Sequence, residues 1–158
     1  MLLNGELDAV LSAHPPHSFL DGDPRIVRLF PEPEAVERDF FAQTGVFPIM
    51  HLIGIRAEVV RRFPWVCGNL VSAFEAAKQA AVARVREFTA SRVPFAWAQT
   101  AADRAAALVG GDPWPCGIEA NRTTLDAFCQ WAHEQGVAHR RLSPEELFPA
   151  EVQARFRI

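Results

Sequence analysis

The most apolar stretch of this 158-residue chain is Phe47-Pro48-Ile49-Met50-His51-Leu52-Ile53-Gly54-Ile55. A short continuous apolar run of this kind is typical of a strand buried on both faces of a sheet. The run therefore predicts a central strand over residues 47–55. Apolar and polar residues alternate over residues 7–11, which predicts a second strand, and a turn signal before residues 25–30 introduces a third.

Helical patterns dominate the middle of the chain. Apolar spacing and the positions of prolines predict helices over about residues 35–41, 57–62 and 64–88. Thr100-Ala101-Ala102-Asp103 resembles a capping box, and Gly110 is a stop signal for the helix that would follow it.

The last third of the chain carries two more helix signals. Asn121 predicts the cap of a helix whose apolar face holds Leu125, Phe128, Cys129 and Ala132. Ser143-Pro144-Glu145-Glu146 predicts the start of a final short helix, with serine as cap and glutamate three residues later. These patterns together predict an α/β fold that is rich in helix, with few strands and four or five helices.

Composition narrows the class of function. The chain is 49% hydrophobic and 22% charged, with a net charge of −3. A negative net charge is not typical of a nucleic-acid binder, and the hydrophobic fraction is too high for a disordered chain. No apolar run is long enough to span a bilayer. Three widely spaced cysteines and the lack of a signal-peptide pattern predict a reducing, cytoplasmic location.

Two positions stand out as candidates for chemistry around the apolar run. His51 lies inside the run, where it is either a hydrogen-bonded core histidine or a proton donor and acceptor. Arg56 follows the end of the same run, where open α/β sheets place ligand sites, and its alternative is a surface salt bridge.

Further polar residues lie at a predicted helix start and in a proline loop. Glu119, Asn121 and Arg122 join a tryptophan-bearing loop to a helix, where they either serve a site or only cap the helix and pair charges. His14 flanks two prolines and is either a substrate contact or part of a solvated loop. Cys129 and His133 have the spacing of half a metal site, but the apolar face favours Cys129 as a core residue.

Several stretches of the chain together resemble one known family. They are Gly5 to Val10, Gly22 to Arg25 with Arg28 to Phe30, Gly45 to His51, Trp114-Pro115 with Gly117 to Arg122, and the ending His133 to Gly136 with Leu142 to Phe148. These stretches resemble the C-terminal half of the 4,5-dihydroxyphthalate decarboxylase family.

The resemblance implies a fold and a domain arrangement. It implies a partial periplasmic-binding-protein type II-like fold, with two α/β lobes around a cleft. Residues 1–45 would then end the second lobe and cross back, and residues 46–158 would supply the closing strand and helices of the first lobe. The relationship to binding proteins of that fold leaves a small-anion binding module without catalysis as the alternative function.

The resemblance also implies a reaction in the degradation of aromatic compounds. The substrate would be 4,5-dihydroxyphthalate, an aromatic carboxylate, and the products protocatechuate and CO2. At matching positions we expect His51 to donate a proton, Glu119 to act as an orienting base, and Arg56 or Arg122 to clamp carboxylates, with His14 and Asn121 as further substrate contacts.

We expect no organic cofactor for this reaction, and a divalent metal stays open. Neither nucleic acid nor membrane is expected as a partner. A homo-oligomer and a complementary N-terminal chain are the two partner arrangements that the resemblance leaves open.

Overall fold

The computed structural model describes residues 1–87, 89 and 92–153. The helices are α1 His17–Leu20, α2 Pro33–Thr44, α3 Ala57–Arg62, α4 Trp65–Val85, α5 Ala98–Val109, α6 Arg122–Glu134 and α7 Pro144–Leu147. Two short 3₁₀ turns, Glu119–Asn121 and Ala150–Val152, precede α6 and follow α7.

The described residues contain no strand, so the predicted α/β class and the periplasmic-binding-protein-like fold are wrong for this structure. Residues 7–11, 25–30 and 47–55 lie outside every helix, but none of them pairs with a neighbouring strand. A strand is stable only when a second segment satisfies its main-chain hydrogen bonds. An apolar run therefore predicts where a strand could form without supplying the partner that it needs.

The helix predictions for the middle of the chain agree with the structure more closely than the strand predictions do. The helix predicted over residues 57–62 is confirmed by α3, and the long helix is confirmed by α4, although α4 ends at Val85. Its predicted end, Phe88, lies outside the described residues. The capping box predicted at Thr100–Asp103 is wrong, because α5 begins two residues earlier, at Ala98, after Trp97 with a left-handed φ of 60°.

Two of the predicted helix ends are confirmed, the end of α5 at Gly110 and the start of α7 at Ser143. Gly110 ends α5 in the left-handed region with a φ of 72°, which glycine adopts at little cost. Ser143 and Glu146 form the predicted capping box of α7, in which the Ser143 N–H donates to Glu146 Oε2 at 2.8 Å.

Few apolar side chains are deeply buried. The buried hydrophobic set within the described residues is Val46, Cys67, Ile118, Leu125 and Cys129, and Pro144 at the start of α7 is buried as well. Leu125 and Cys129 confirm the predicted apolar face of α6, and Cys129 is a core residue, but Phe128 is about half exposed. The small core rests mainly on α4, α6 and the segments that precede α3 and α6.

The chain divides into two compact units, Met1–Gln43 and Thr44–Ile158. This boundary lies close to the predicted one at residues 45 and 46, while the assignment of the two parts to lobes stays a prediction. The first unit holds α1, most of α2 and an exposed ion pair between Arg25 and Asp23 that lowers the pKa of Asp23 to about 2. No helix among the described residues has the length and apolar character that a membrane span requires.

Candidate functional site

Two of the stretches that carry the family resemblance meet in the second unit. The Phe47 N–H donates to Thr124 Oγ1 at 3.0 Å, and the same hydroxyl donates to the Phe47 carbonyl at 3.1 Å. The Phe47 ring lies edge-to-face with Trp114, with 5.2 Å between ring centroids. Gly45 precedes this contact with a φ of 67°, and a Cβ there would lie 3.6 Å from the Thr123 methyl carbon. The start of the apolar run is therefore fixed between α6 and the Trp114 loop.

A charged cluster anchors the Trp114 loop to α4. Lys78 Nζ lies 2.7 Å from Glu75 Oε2 and donates to Asp112 Oδ2 at 2.5 Å and to the Trp114 carbonyl at 2.9 Å. Asp112 Oδ1 in turn accepts the Trp114 N–H at 2.9 Å. The Lys78 side chain is only 17% exposed, so these interactions act in partly desolvated surroundings.

The charged groups of the cluster shift one another's pKa values. Burial opposes the charge of Lys78, but the carboxylates of Asp112 and Glu75 outweigh it and raise the pKa of Lys78. Lys78 and then the Gln79 amide lower the pKa of Glu75. Partial desolvation and the neighbouring Glu75 raise the pKa of the Cys116 thiol, although the residue is exposed, and this direction favours the protonated form.

Asn121 holds the loop before α6 rather than capping the helix through its side chain. Its Nδ2 donates to the Pro115 carbonyl at 2.7 Å and to the Gly117 carbonyl at 2.9 Å. Gly117 has a φ of 101°, a conformation that side chains with a Cβ rarely adopt. Asn121 therefore acts here on the shape of the Trp114 loop.

Arg122 lies between two carboxylates. Its guanidinium donates to Glu119 Oε1 at 2.5 Å and also to Glu145 Oε1, which approaches from α7. The two carboxylates, Glu119 first, raise the pKa of Arg122, and Arg122 lowers the pKa of Glu145. One cation and two anions give this group a net charge of −1, which opposes the approach of a third carboxylate unless one of the two is displaced.

Arg122 also lines a shallow polar depression of about 400 Å³. Its wall includes Asp126, Arg141, Ser143 and Glu145. Arg141 is exposed and forms no ion pair within the part of the chain that the structure describes. It is the second cation at this surface, and the sequence patterns did not single it out.

His51 and Arg56 lie in more open surroundings. His51 is exposed and has no hydrogen-bond partner among the described residues, so the interpretation of His51 as a buried strand residue is wrong. The Arg56 side chain is 81% exposed and pairs with Glu58 at 3.1 Å at the start of α3. The proposed chemical roles of both residues stay predictions.

His14 lies in the first unit. It is exposed, its N–H donates to Ser12 Oγ at 3.2 Å, and the Ser12 hydroxyl donates to the His14 carbonyl at 2.8 Å. These contacts form a local turn through the His14 main chain and the Ser12 hydroxyl, and they do not involve the imidazole. The substrate contact assigned to His14 stays a prediction.

Three residues that hold the segments of the site together were not predicted from the sequence. Lys78, Asp112 and Thr124 each join two segments that are far apart in the chain. The one signal for Lys78 is that it is the single lysine beside fifteen arginines. Within the described residues, no group of three or more histidine, cysteine, aspartate or glutamate side chains could hold a metal ion.

The second unit is thus a helical domain with an ion-paired polar depression and a fixed aromatic loop. No protein-family model matches the chain. The chain is 34% identical over 155 residues to a 4,5-dihydroxyphthalate decarboxylase of Comamonas testosteroni, and the alignment covers 98% of this chain. This match confirms that the chain is related to the 4,5-dihydroxyphthalate decarboxylase family.

The match covers only part of that relative. The aligned region is 47% of the relative, so the chain spans about half the length of the curated protein that it matches. This share is consistent with the predicted match to the C-terminal half of the family.

Proposed function

We propose that this chain carries part of the active site of a decarboxylase-like lyase that acts on a dihydroxylated aromatic dicarboxylate. The observation that carries the proposal is the 34% identity, over nearly the whole chain, to a protein named 4,5-dihydroxyphthalate decarboxylase. The proposed reaction converts 4,5-dihydroxyphthalate to protocatechuate and CO2.

The substrate's own substituents supply much of the driving force for this reaction. Each ring carboxylate lies para to a hydroxyl, which pushes electron density to the carbon that bears the carboxylate. A general acid protonates that carbon, the bond to the carboxylate breaks, and its electron pair returns to the ring as CO2 leaves. The protein must therefore supply one proton donor and cations that hold two carboxylates in place.

The open position of His51 supports it as the proposed proton donor. Its imidazole is exposed and is not held by another described side chain, so a substrate can reach it. An imidazole can hold a proton, pass it to a substrate carbon and take up another from water, which is the work of a general acid. The flanking contact between Phe47 and Trp114 fixes the beginning of the segment on which His51 lies.

The proposed carboxylate clamps are Arg56 and Arg122. Both already bind carboxylates of this chain, Arg56 that of Glu58 and Arg122 those of Glu119 and Glu145. A guanidinium that accommodates a glutamate has the geometry to accommodate a ring carboxylate. In this proposal a substrate carboxylate displaces Glu145 from Arg122, while Glu119 stays and orients the substrate.

The test uses a chimera in which this chain replaces the matched 47% of the Comamonas testosteroni decarboxylase. The chimera receives 4,5-dihydroxyphthalate with a labelled carboxyl carbon, and released CO2 is counted. We expect CO2 from the chimera and at least about a hundredfold less from its His51→Ala variant, in line with the usual contribution of a general acid. His139→Ala, which removes another exposed histidine, is the matched control and should retain activity.

Two results would count against the proposal. Binding of 4,5-dihydroxyphthalate by the unsubstituted chimera without any CO2 release would favour the anion-binding alternative. Equal CO2 release by the unsubstituted chimera and the His51→Ala variant would remove His51 from the mechanism.

A further inference from the structure

Residues 49–53, which we call the apolar segment, expose large apolar side chains. Met50 is 70% exposed, and Leu52 and Ile53 are each 61% exposed. The main-chain N–H and C=O groups of residues 49–53 have no hydrogen-bond partner among the described residues. Large exposed apolar side chains on both sides of His51, in a segment whose main-chain groups are unpaired among the described residues, form the kind of surface that marks an interaction site.

The structure holds one end of this segment in place. Val46 is buried, and Phe47 is fixed by Thr124 and Trp114. At the other end α3 begins at Ala57. The apolar segment is therefore presented from a fixed point on the second unit, as a docking site requires.

The length of the matched decarboxylase bears on what could cover the segment. This chain matches only 47% of that protein at nearly full coverage of its own length, so about as much polypeptide again belongs to the relative's complete structure. We propose that the apolar segment is the docking surface for a polypeptide equivalent to the unmatched half of the decarboxylase. This inference rests on the exposed segment and the extent of the match, and it does not depend on the proposed reaction.

The docking proposal has a consequence for His51, which lies in the middle of the apolar segment. A polypeptide that covers Met50 and Leu52 would also build a wall beside the imidazole.

The experiment compares amide hydrogen exchange at residues 49–53 in this chain alone and in the chimera that carries the unmatched half of the relative. We expect exchange in the chimera to be slower by about a hundredfold, or about 2.8 kcal/mol at 1.4 kcal/mol per factor of ten. Leu52→Asp in the chimera should abolish this protection, because it places a charge in the proposed contact. Val137→Asp, at a position that is 78% exposed outside the segment, should leave it unchanged.

Three outcomes would overturn the proposal. Exchange at residues 49–53 that is as fast in the chimera as in the chain alone means that the unmatched half does not cover the segment. Protection that arises in the chain alone and grows with its concentration assigns the segment to a second copy of the chain. Equal loss of protection in the Leu52→Asp and Val137→Asp chimeras means that the effect is not specific to the segment.

Discussion

Replacing Lys78 by methionine tests whether the charged cluster stabilises the second unit. Methionine keeps most of the apolar stem, so the change removes chiefly the ammonium group and its contacts with Glu75, Asp112 and the Trp114 carbonyl. Glu75 is 18% exposed and Asp112 is 35% exposed, and both would keep their negative charge without the cation between them.

The magnitude follows from the number and exposure of these contacts. A hydrogen bond to a charged group contributes about 1.5–3 kcal/mol, and breaking a fully buried ion pair costs about 3–5 kcal/mol. Partial exposure of Asp112 lowers the cost, so we expect Lys78→Met to reduce the free energy of unfolding by about 2–3 kcal/mol. Lys78→Arg keeps the charge and should recover part of the loss.

Urea unfolding followed by tryptophan fluorescence measures this change, since Trp114 lies in the affected loop. Arg86→Met is the control, because Arg86 pairs with Asp103 at 3.4 Å with both side chains about half exposed and should cost no more than about 0.5 kcal/mol. A Lys78→Met variant within about 0.5 kcal/mol of the unsubstituted chain would refute the stabilising role of the cluster.

Two further predictions concern α7 and α6. Arg140 and then the α7 cap lower the pKa of Glu146 from 4.5 to about 2, so its contribution is present in full above pH 4.5 and is lost as the pH falls toward 2. The stability difference between the unsubstituted chain and Glu146→Gln should therefore shrink between about pH 5 and pH 2, and a constant difference in urea midpoints would contradict this. Thr124→Val removes both hydrogen bonds to the Phe47 main chain and should cost about 1–2 kcal/mol in urea unfolding. Thr123→Val keeps the methyl group that lies 3.6 Å from the place a Cβ at Gly45 would occupy and is the matched control, and equal losses in the two variants would contradict the assignment.

Local signals in the sequence predicted most of the helices. The Ser143–Glu146 capping box, the Gly110 stop and the helix over residues 57–62 depend on residues within a few positions of one another. Interactions between residues so close in the chain can be predicted from the sequence pattern alone. The false capping box at Thr100 shows the limit, because Trp97 in a left-handed conformation begins α5 earlier than the pattern indicates.

Long-range contacts explain what the sequence did not predict. The run over residues 47–55 has the apolar character of a strand, but a strand also needs a neighbour, and composition does not report whether one exists. The same limit hid the bridge from Lys78 to Asp112, which are 34 positions apart. The ion pair between Glu145 and Arg122 was not predicted for the same reason. Because of this pair, the arginine that we expected to bind a substrate carboxylate already binds a carboxylate of the chain itself.

The resemblance to the decarboxylase family predicted the relationship of the chain correctly but not its fold. Gly45 to Phe47 and the Trp114 loop are unremarkable as separate patterns, yet they contact each other in the structure. Both stretches carry the resemblance to the decarboxylase family, but that resemblance did not predict their contact; the 34% identity over 98% of the chain confirms the family relationship alone.

The most direct test of the account is the release of labelled CO2 from 4,5-dihydroxyphthalate by the chimera that joins this chain to the unmatched half of the Comamonas testosteroni decarboxylase. The account predicts release that depends on His51 and survives His139→Ala. A chimera that folds and binds 4,5-dihydroxyphthalate but releases no CO2 would contradict it.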